Sequence, residues 1–305
     1  MKNGPEVKRW IVMFLAMTAV TGWAGSGAGT TAVPFLSMGV GARSLAMGEA
    51  ATASAEDATV LYWNPAALSR IKDRSATFMH ETGLENSFLD YAAYASRSGD
   101  SGWGVGVQYF SSGRVEQTGF GALPAGSTNP HDVAVSGGYA RTLVGFGVGL
   151  SVKYIQSNLG ETASTYAVDG GVLSPEFWHD RLRAGVAVTN LGGRITYDRE
   201  SASLPTTVRA GLDVYPGKGY TGAVDVVSPQ SGDTYGALGA EYRAVLGTDL
   251  SLSLRGGYTS RSVGGDPQGF SAGVGFGWKK LTVDYAFLSK NDFSPSQVLS
   301  ITYGF

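Results

Sequence analysis

The sequence predicts an all-β protein: an antiparallel, up-and-down transmembrane β-barrel of about fourteen strands, preceded by a short helical segment. Three observations carry that expectation. From Ser75 onward, apolar and polar residues alternate with period two in segments of roughly ten residues, the length a tilted strand needs to cross a bilayer. The links between those segments alternate between long and short. Ahead of them all lies a basic, apolar leader of the kind that marks a chain for export.

Lys2, Lys8 and Arg9 form the basic part of that leader, and Trp10 to Val20 its apolar core. At about eleven apolar residues the core falls well short of the roughly 20 that a helical anchor needs. Small residues at Gly22 and Ala24 flank a cleavage site, so residues 1–24 read as a signal peptide. With no cysteine in the chain, neither disulfides nor a lipidated N-terminus is expected. The net charge of −2 gives no electrostatic footprint for nucleic acid.

Residues 25–74 do not alternate. Pro34 to Ile71 is rich in small residues and partly helical in pattern. Ser54 followed by Asp57 reads as a helix start, and the residue before Pro65 is disfavoured in a helix. Asn64 can then cap a second short helix with Pro65 at its first position. This segment is expected to act as a plug across the periplasmic mouth of the barrel.

The barrel itself is expected over residues 75–305. In Asp249 to Tyr258, Leu250, Leu252 and Leu254 share one face, and Ser251, Ser253 and Arg255 the other. Val208, Ala210, Leu212 and Val214 alternate in the same way with Arg209, Gly211 and Asp213. So do Leu281, Val283, Tyr285 and Phe287 with Thr282, Asp284 and Ala286. Lys279-Lys280, LGT and PGK are short links, whereas GRVEQTGFGALPAGSTNPH and LGGRITYDRESASL are long. Sorting by length puts short periplasmic turns on one rim and extracellular loops on the other. Tyr91, Trp103, Tyr109, Tyr139, Tyr154, Tyr242, Trp278 and Tyr303 lie near strand ends, where interface girdles form.

If the apolar faces meet lipid, the opposite faces line the lumen. They carry Lys153, Asp169, Arg183, Arg209, Asp213, Asp225, Glu241, Arg243, Arg255 and Asp284, with acidic and basic residues in balance. Such a set is expected to pair across the lumen rather than to form a single-sign selectivity ring. The 45 glycines fall largely on this face, which lets something inside approach the wall closely. The chain ends with Tyr303 and Phe305 in an alternating last strand. That ending resembles the signal by which the barrel-assembly machinery recognises its clients.

The run Gly39-Val40-Gly41-Ala42-Arg43-Ser44-Leu45-Ala46-Met47-Gly48-Glu49-Ala50, with Asp57-Ala58 and Tyr62-Trp63-Asn64-Pro65-Ala66-Ala67-Leu68, resembles the PorV/PorQ family. That family is related to the FadL long-chain fatty-acid transporters. The resemblance implies a FadL-like outer-membrane barrel of a Gram-negative-type bacterium, with fourteen strands and an N-terminal hatch in the lumen. Arg43, Asp57, Asn64 and Pro65 would form the hatch motif. Two functions follow as expectations. One is a component of type IX-like secretion, with other secretion subunits and cargo domains as partners, held by loops around Arg114–His131 and Arg194–Leu204. The other is a transporter of small hydrophobic molecules, for which Val115, Phe120 and Leu123 supply apolar groups in the longest loop.

No enzyme and no cofactor is expected. His80, His131 and His179 are widely separated and lack metal-ligand spacing. Ser136, His131 and Asp132 are near one another in sequence only, and proximity in sequence is not triad geometry.

Overall fold

The computed structural model describes residues 31–83, 85–118, 124–198, 200–263, 266–290 and 293–305. The expected leader, and Phe120 and Leu123 of the longest loop, lie outside the described residues. The barrel strands are β1 (Arg74–Thr82), β2 (Phe88–Ser98), β3 (Ser101–Ser111), β6 (His131–Leu143), β7 (Phe146–Asn158), β8 (Thr162–Leu173) and β9 (Leu182–Gly192). They continue as β12 (Thr207–Gly217), β13 (Tyr220–Pro229), β14 (Tyr235–Leu246), β15 (Leu250–Val263), β16 (Asp266–Trp278), β17 (Leu281–Lys290) and β18 (Phe293–Gly304). Each pairs antiparallel with its neighbours in chain order, and β18 pairs with β1 from Gln297↔Thr82 to Gly304↔Ser75, closing a fourteen-stranded ring. Closure satisfies the backbone groups that an open sheet edge would expose to lipid. The predicted class and strand number are those observed.

Period two sets the two faces. Along β7, Leu150 and Val152 are exposed while Ser151 and Lys153 are buried. Leu238, Leu254, Val274 and Leu299 extend the exposed apolar belt. At the rim with the short turns, Trp103, Tyr139, Tyr242, Trp278, Tyr303 and Phe305 are also exposed. Rings touch across strands there, with Tyr220 and Tyr242 centred 4.7 Å apart and Tyr94 and Phe305 6.0 Å apart. At the opposite rim, His80, Phe88, Tyr109 and His131 form a continuous row of rings, and His80 Nδ1 lies 2.6 Å from Asp90. Aromatic rims bracketing an apolar belt fit the two membrane interfaces. Tyr91 departs from the expectation. It shares the inward parity of Leu89 and Ala93 and is buried in the lumen.

Two long links are not plain loops. β4 (Val115–Thr118) pairs with β5 (Pro124–Thr128), and β10 (Arg194–Tyr197) with β11 (Glu200–Ser203). Four- and five-residue strands carry too little alternation to stand out in sequence, and ESAS has no large apolar residue. The second hairpin folds inward rather than standing free. Ile195 and the adjacent Leu204 are buried, and Ala32 N donates to Ser203 O at 3.0 Å.

Candidate functional site

The segment from Val33 to Ile71 fills the lumen. Its regular pieces are short: 3₁₀ turns at Pro34–Ser37 and Pro65–Ser69, and helices at Ala42–Ala46 and Val60–Trp63. It runs the length of the barrel, not only across the periplasmic mouth as the sequence reading had it. Phe35 packs near Phe110 and Leu288 at the extracellular end. Arg70 Nη2 donates to Gly145 O, in the short turn between β6 and β7.

Local chemistry explains the path. Asn64 leaves the helix in an extended conformation, accepts from Ala66 N at 3.1 Å and donates from Nδ2 to Thr52 O at 3.0 Å. Pro65 occupies the first position of the following turn, as expected. The expected helix start at Ser54 is not formed. Ser54 Oγ instead donates back to Ala50 O, and the helix begins only at Val60. Asp57 accepts from Thr59 N at 2.8 Å, folding a tight turn just before it. Trp63, fully buried, ties the two halves together by donating to Val40 O at 2.9 Å.

Glycines in the wall let this segment seat against backbone. A Cβ at Gly257 would lie 2.1 Å from Gly48 N, and one at Gly239 2.5 Å from Met47 O. Under the other end of the plug, a Cβ at Gly149 would lie 2.5 Å from Ala66 N and one at Gly102 2.0 Å from Leu68 O. The glycine excess is thus in part a docking surface for the chain's own N-terminal segment.

Charge completes the lock. Arg43 Nε is 2.9 Å from Glu241 on β14, and its Nη1 donates to Ser54 O at 2.6 Å. Glu241 also receives Arg255 at 2.5 Å and Arg243 at 3.2 Å. Arg255 continues to Asp284 at 2.7 Å, and Arg243 reaches Glu56 of the plug at 3.9 Å. Three guanidinium groups therefore face three carboxylates. A second cluster sets Arg209 between Glu49 (3.7 Å) and Asp225 (4.0 Å), with Arg261 3.5 Å from Glu49. Asp225 in turn accepts from Ala51 N, Thr52 N and Thr52 Oγ1. Arg209 also lies over the Trp63 ring, 4.8 Å from its centroid. Separately, Lys153 pairs with Asp169 at 3.0 Å and Arg183 with Asp213 at 3.2 Å.

The structure thus places all ten lumen charges on the inward face. It brings Arg43 to four of them in one cluster, counting those reached through Glu241 and Arg255. Asp57, Asn64 and Pro65 make no ion pair there and shape the turn instead. Sequence reasoning missed Glu49, Glu56 and Arg261. Arg261 shares the parity of Arg255 along β15, and Glu49 ends the Gly39–Gly48 run, so both signals were present. Among the described residues no group of His, Asp and Glu is arranged to hold a metal.

Near the extracellular end, a cavity of about 250 Å³ lies between the plug and the wall. Phe35, Met38 and Leu45 line it from the plug, and Phe110 and Leu288 from the barrel. Glu49, Glu81 and Arg261 stand at its margin.

A fourteen-stranded barrel closed by a plug of its own N-terminal residues defines the class: a plugged outer-membrane β-barrel. Within that class the chain belongs to the PorV family, since the family model for the type IX secretion system protein PorV matches residues 24–215. Among solved structures it is similar to the P. putida toluene transporter TodX, at 13% identity and a TM-score of 0.60, covering 88% of this chain and 99% of that one. The Ralstonia pickettii toluene transporter TbuX gives 13% identity and a TM-score of 0.59 over 88% of this chain and 98% of that one. The CymD monoaromatic hydrocarbon channel gives 12% and 0.59, with the same coverage of both chains. At these identities the likeness is one of fold. No curated protein matches the sequence.

Proposed function

We propose that this protein is a non-enzymatic, non-conducting component of type IX secretion, which binds other outer-membrane subunits and exported cargo at its extracellular face. The observation that carries this reading is the seating of the plug. It is held by ion pairs at both Arg43 and Glu49 and lies against glycine backbone too closely to slide. A barrel so filled serves as a rigid platform, and membership of the PorV family supplies the context. The β4–β5 hairpin, where Val115 and Glu116 are exposed, is the outward-reaching part of that platform. Insertion by the barrel-assembly machinery, read from Tyr303 and Phe305, belongs to the same proposal.

The absence of catalysis has its own support. Asp132 and Ser136 lie on the inward parity of β6 and His131 on the other, so the three do not converge. Affinity purification from membranes of a cell with the secretion system should recover other secretion subunits, and recovery of none overturns the proposal. In planar bilayers the purified barrel should carry no steady current. Porin-like steps would contradict a seated plug.

A second reading, transport of small hydrophobic molecules, is favoured by the cavity beside Phe35, Met38 and Leu45. Its size exceeds the roughly 150 Å³ that holds benzene in an apolar cavity, and the similar structures include toluene transporters. Uptake of labelled toluene or fatty acid by cells, dependent on this protein, separates it from the first reading.

A further inference from the structure

The outward face of the wall is not evenly filled. Across the β1–β2 pair, Ala76 stands opposite Tyr94 and Phe78 opposite Ala92. Each aromatic ring faces an alanine, so the two alanines lie on one diagonal and the two rings on the other. On the far side of β1, Ala76 meets Tyr303 of β18, and Phe78 meets Ile301. The result is an apolar groove of about 560 Å³ in the belt, floored by Ala76 and Ala92 and walled by Phe78, Tyr94, Ile301 and Tyr303. It opens outward to lipid, and no plug residue lines it.

The groove belongs to the periplasmic half of the belt. Ala76 is two residues above Arg74, where β1 begins, and both have the outward parity of that strand. Arg74 therefore stands at the foot of the groove. Across β18 from it lies the Lys279-Lys280 turn, since Arg74 O accepts from Phe305 N and Lys280 O from Gly304 N. Two strand spacings, about 10 Å, separate β1 from β17. Lys279 Nζ lies over the outward ring of Trp278, 5.1 Å from its centroid. Arg74 and Lys279 are both exposed, and no ion pair among the described residues engages either. Of the acids on this arc of the rim, Asp73 and Asp249 take the inward parity of β1 and β15, and Asp100 lies in the turn between β2 and β3. The carboxylate at the chain end beside Phe305 shares the outward side, against Arg74, Lys279 and the outward Arg141 of β6.

From this the geometry points to a lipid site on the outer wall. An anionic phospholipid of the inner leaflet lays one acyl chain in the groove, and Arg74 and Lys279 hold its phosphate across β18, the strand on which the ring closes. Apolar burial does not drive this binding, because the surrounding lipid is as apolar as the groove. Packing selects the seated chain. A chain lying along the Ala76–Ala92 diagonal fills the space between Phe78 and Tyr94, whereas a disordered one leaves gaps and forfeits dispersion contacts. Charge selects the head group, with a preference of about fivefold for each basic residue at the surface. The site touches neither the plug nor the extracellular hairpins, so it holds whichever function the barrel serves.

The test uses the whole protein in phosphatidylcholine vesicles carrying a trace of lipid with a diazirine midway along one acyl chain. The probe is either phosphatidylglycerol or phosphatidylcholine. On irradiation, the phosphatidylglycerol probe is expected to label Ala76, Phe78, Ala92 or Tyr94 at least about fivefold more than the phosphatidylcholine probe. Leu238, exposed on β14, should take label equally from both. Ala92→Leu and Ala76→Leu each fill the groove and should abolish the excess, with heat-modifiable mobility showing that the variants fold. Arg74→Gln with Lys279→Gln, both exposed positions, should bring the two probes level while phosphatidylcholine labelling of the groove is unchanged. High salt should level them in the same way. Equal labelling by the two probes in the unmodified protein overturns the site. An excess that survives Ala92→Leu or the double glutamine variant overturns it as well. Exclusion of both probes from the groove, with covalent cross-links forming between copies, assigns the face to a second copy of this chain and equally overturns the lipid site.

Discussion

Replacing Arg43 with methionine tests the plug lock directly. Arg43 and Glu241 are both buried, with side chains 9% and 2% exposed. Removing one partner of a buried pair ordinarily costs about 3–5 kcal/mol, because the other charge is stranded. Here Glu241 keeps Arg255 and Arg243, so it is not stranded. What Arg43→Met loses is three charge-assisted hydrogen bonds, two to Glu241 and one to Ser54 O, each worth roughly 1.5–3 kcal/mol, and it regains the several kcal/mol that desolvating a buried guanidinium costs. With the longer methylene stem retained for packing, the net loss should be about 2–3 kcal/mol. Glu241→Gln is the sharper perturbation. It removes the one carboxylate that three guanidinium groups share, and Asp284 and Glu56 cannot serve all three. Its cost should approach the full ~4–5 kcal/mol of an uncompensated buried charge. Urea unfolding in lipid vesicles, followed by tryptophan fluorescence and by heat-modifiable mobility, gives both values. Trp63, buried in the plug, reports on its release. Arg43→Met within ~0.5 kcal/mol of the parent, the range of neutral surface substitutions, or as damaging as Glu241→Gln, would refute this account of the network.

Further outcomes follow from the same contacts. Gly257→Ala puts a methyl group 2.1 Å from Gly48 N and should destabilise the folded barrel by about 1–3 kcal/mol through overpacking. Gly137→Ala, where a Cβ meets nothing within 4 Å, should stay within ~0.5 kcal/mol in the same unfolding assay. Asn64→Ala removes the cap on Ala66 N and strands the Thr52 carbonyl, for a loss of about 2–3 kcal/mol. It should also raise protease cleavage between Ser54 and Pro65. In the short link between β8 and β9, Trp178, His179 and Asp180 all have positive φ, with His179 at 61°. His179→Gly relieves a left-handed conformation and should stabilise by about 1 kcal/mol, read as a higher urea midpoint.

Much of this protein was legible in its sequence. Period two along Leu250–Arg255 and Leu281–Phe287 fixed which residues meet lipid, because a strand has only two faces and lipid accepts only one kind of side chain. The order of link lengths then gave an up-and-down ring, and the cap at Asn64 with Pro65 was readable because its hydrogen bonds are local. What depends on distant partners was not readable. Tyr91 has the composition of a girdle residue, and only its parity against the closed wall turns it inward. Ser54 had the spacing of a cap but found Ala50 O instead. The pairing of Arg43 with Glu241, 198 positions apart, and the fit of Gly48 onto Gly257 exist only once the barrel has closed around the plug. Alternation is a property of one strand at a time. Where strands part, and which charge meets which across a lumen, is decided by the curvature of the whole wall and the volume left inside it.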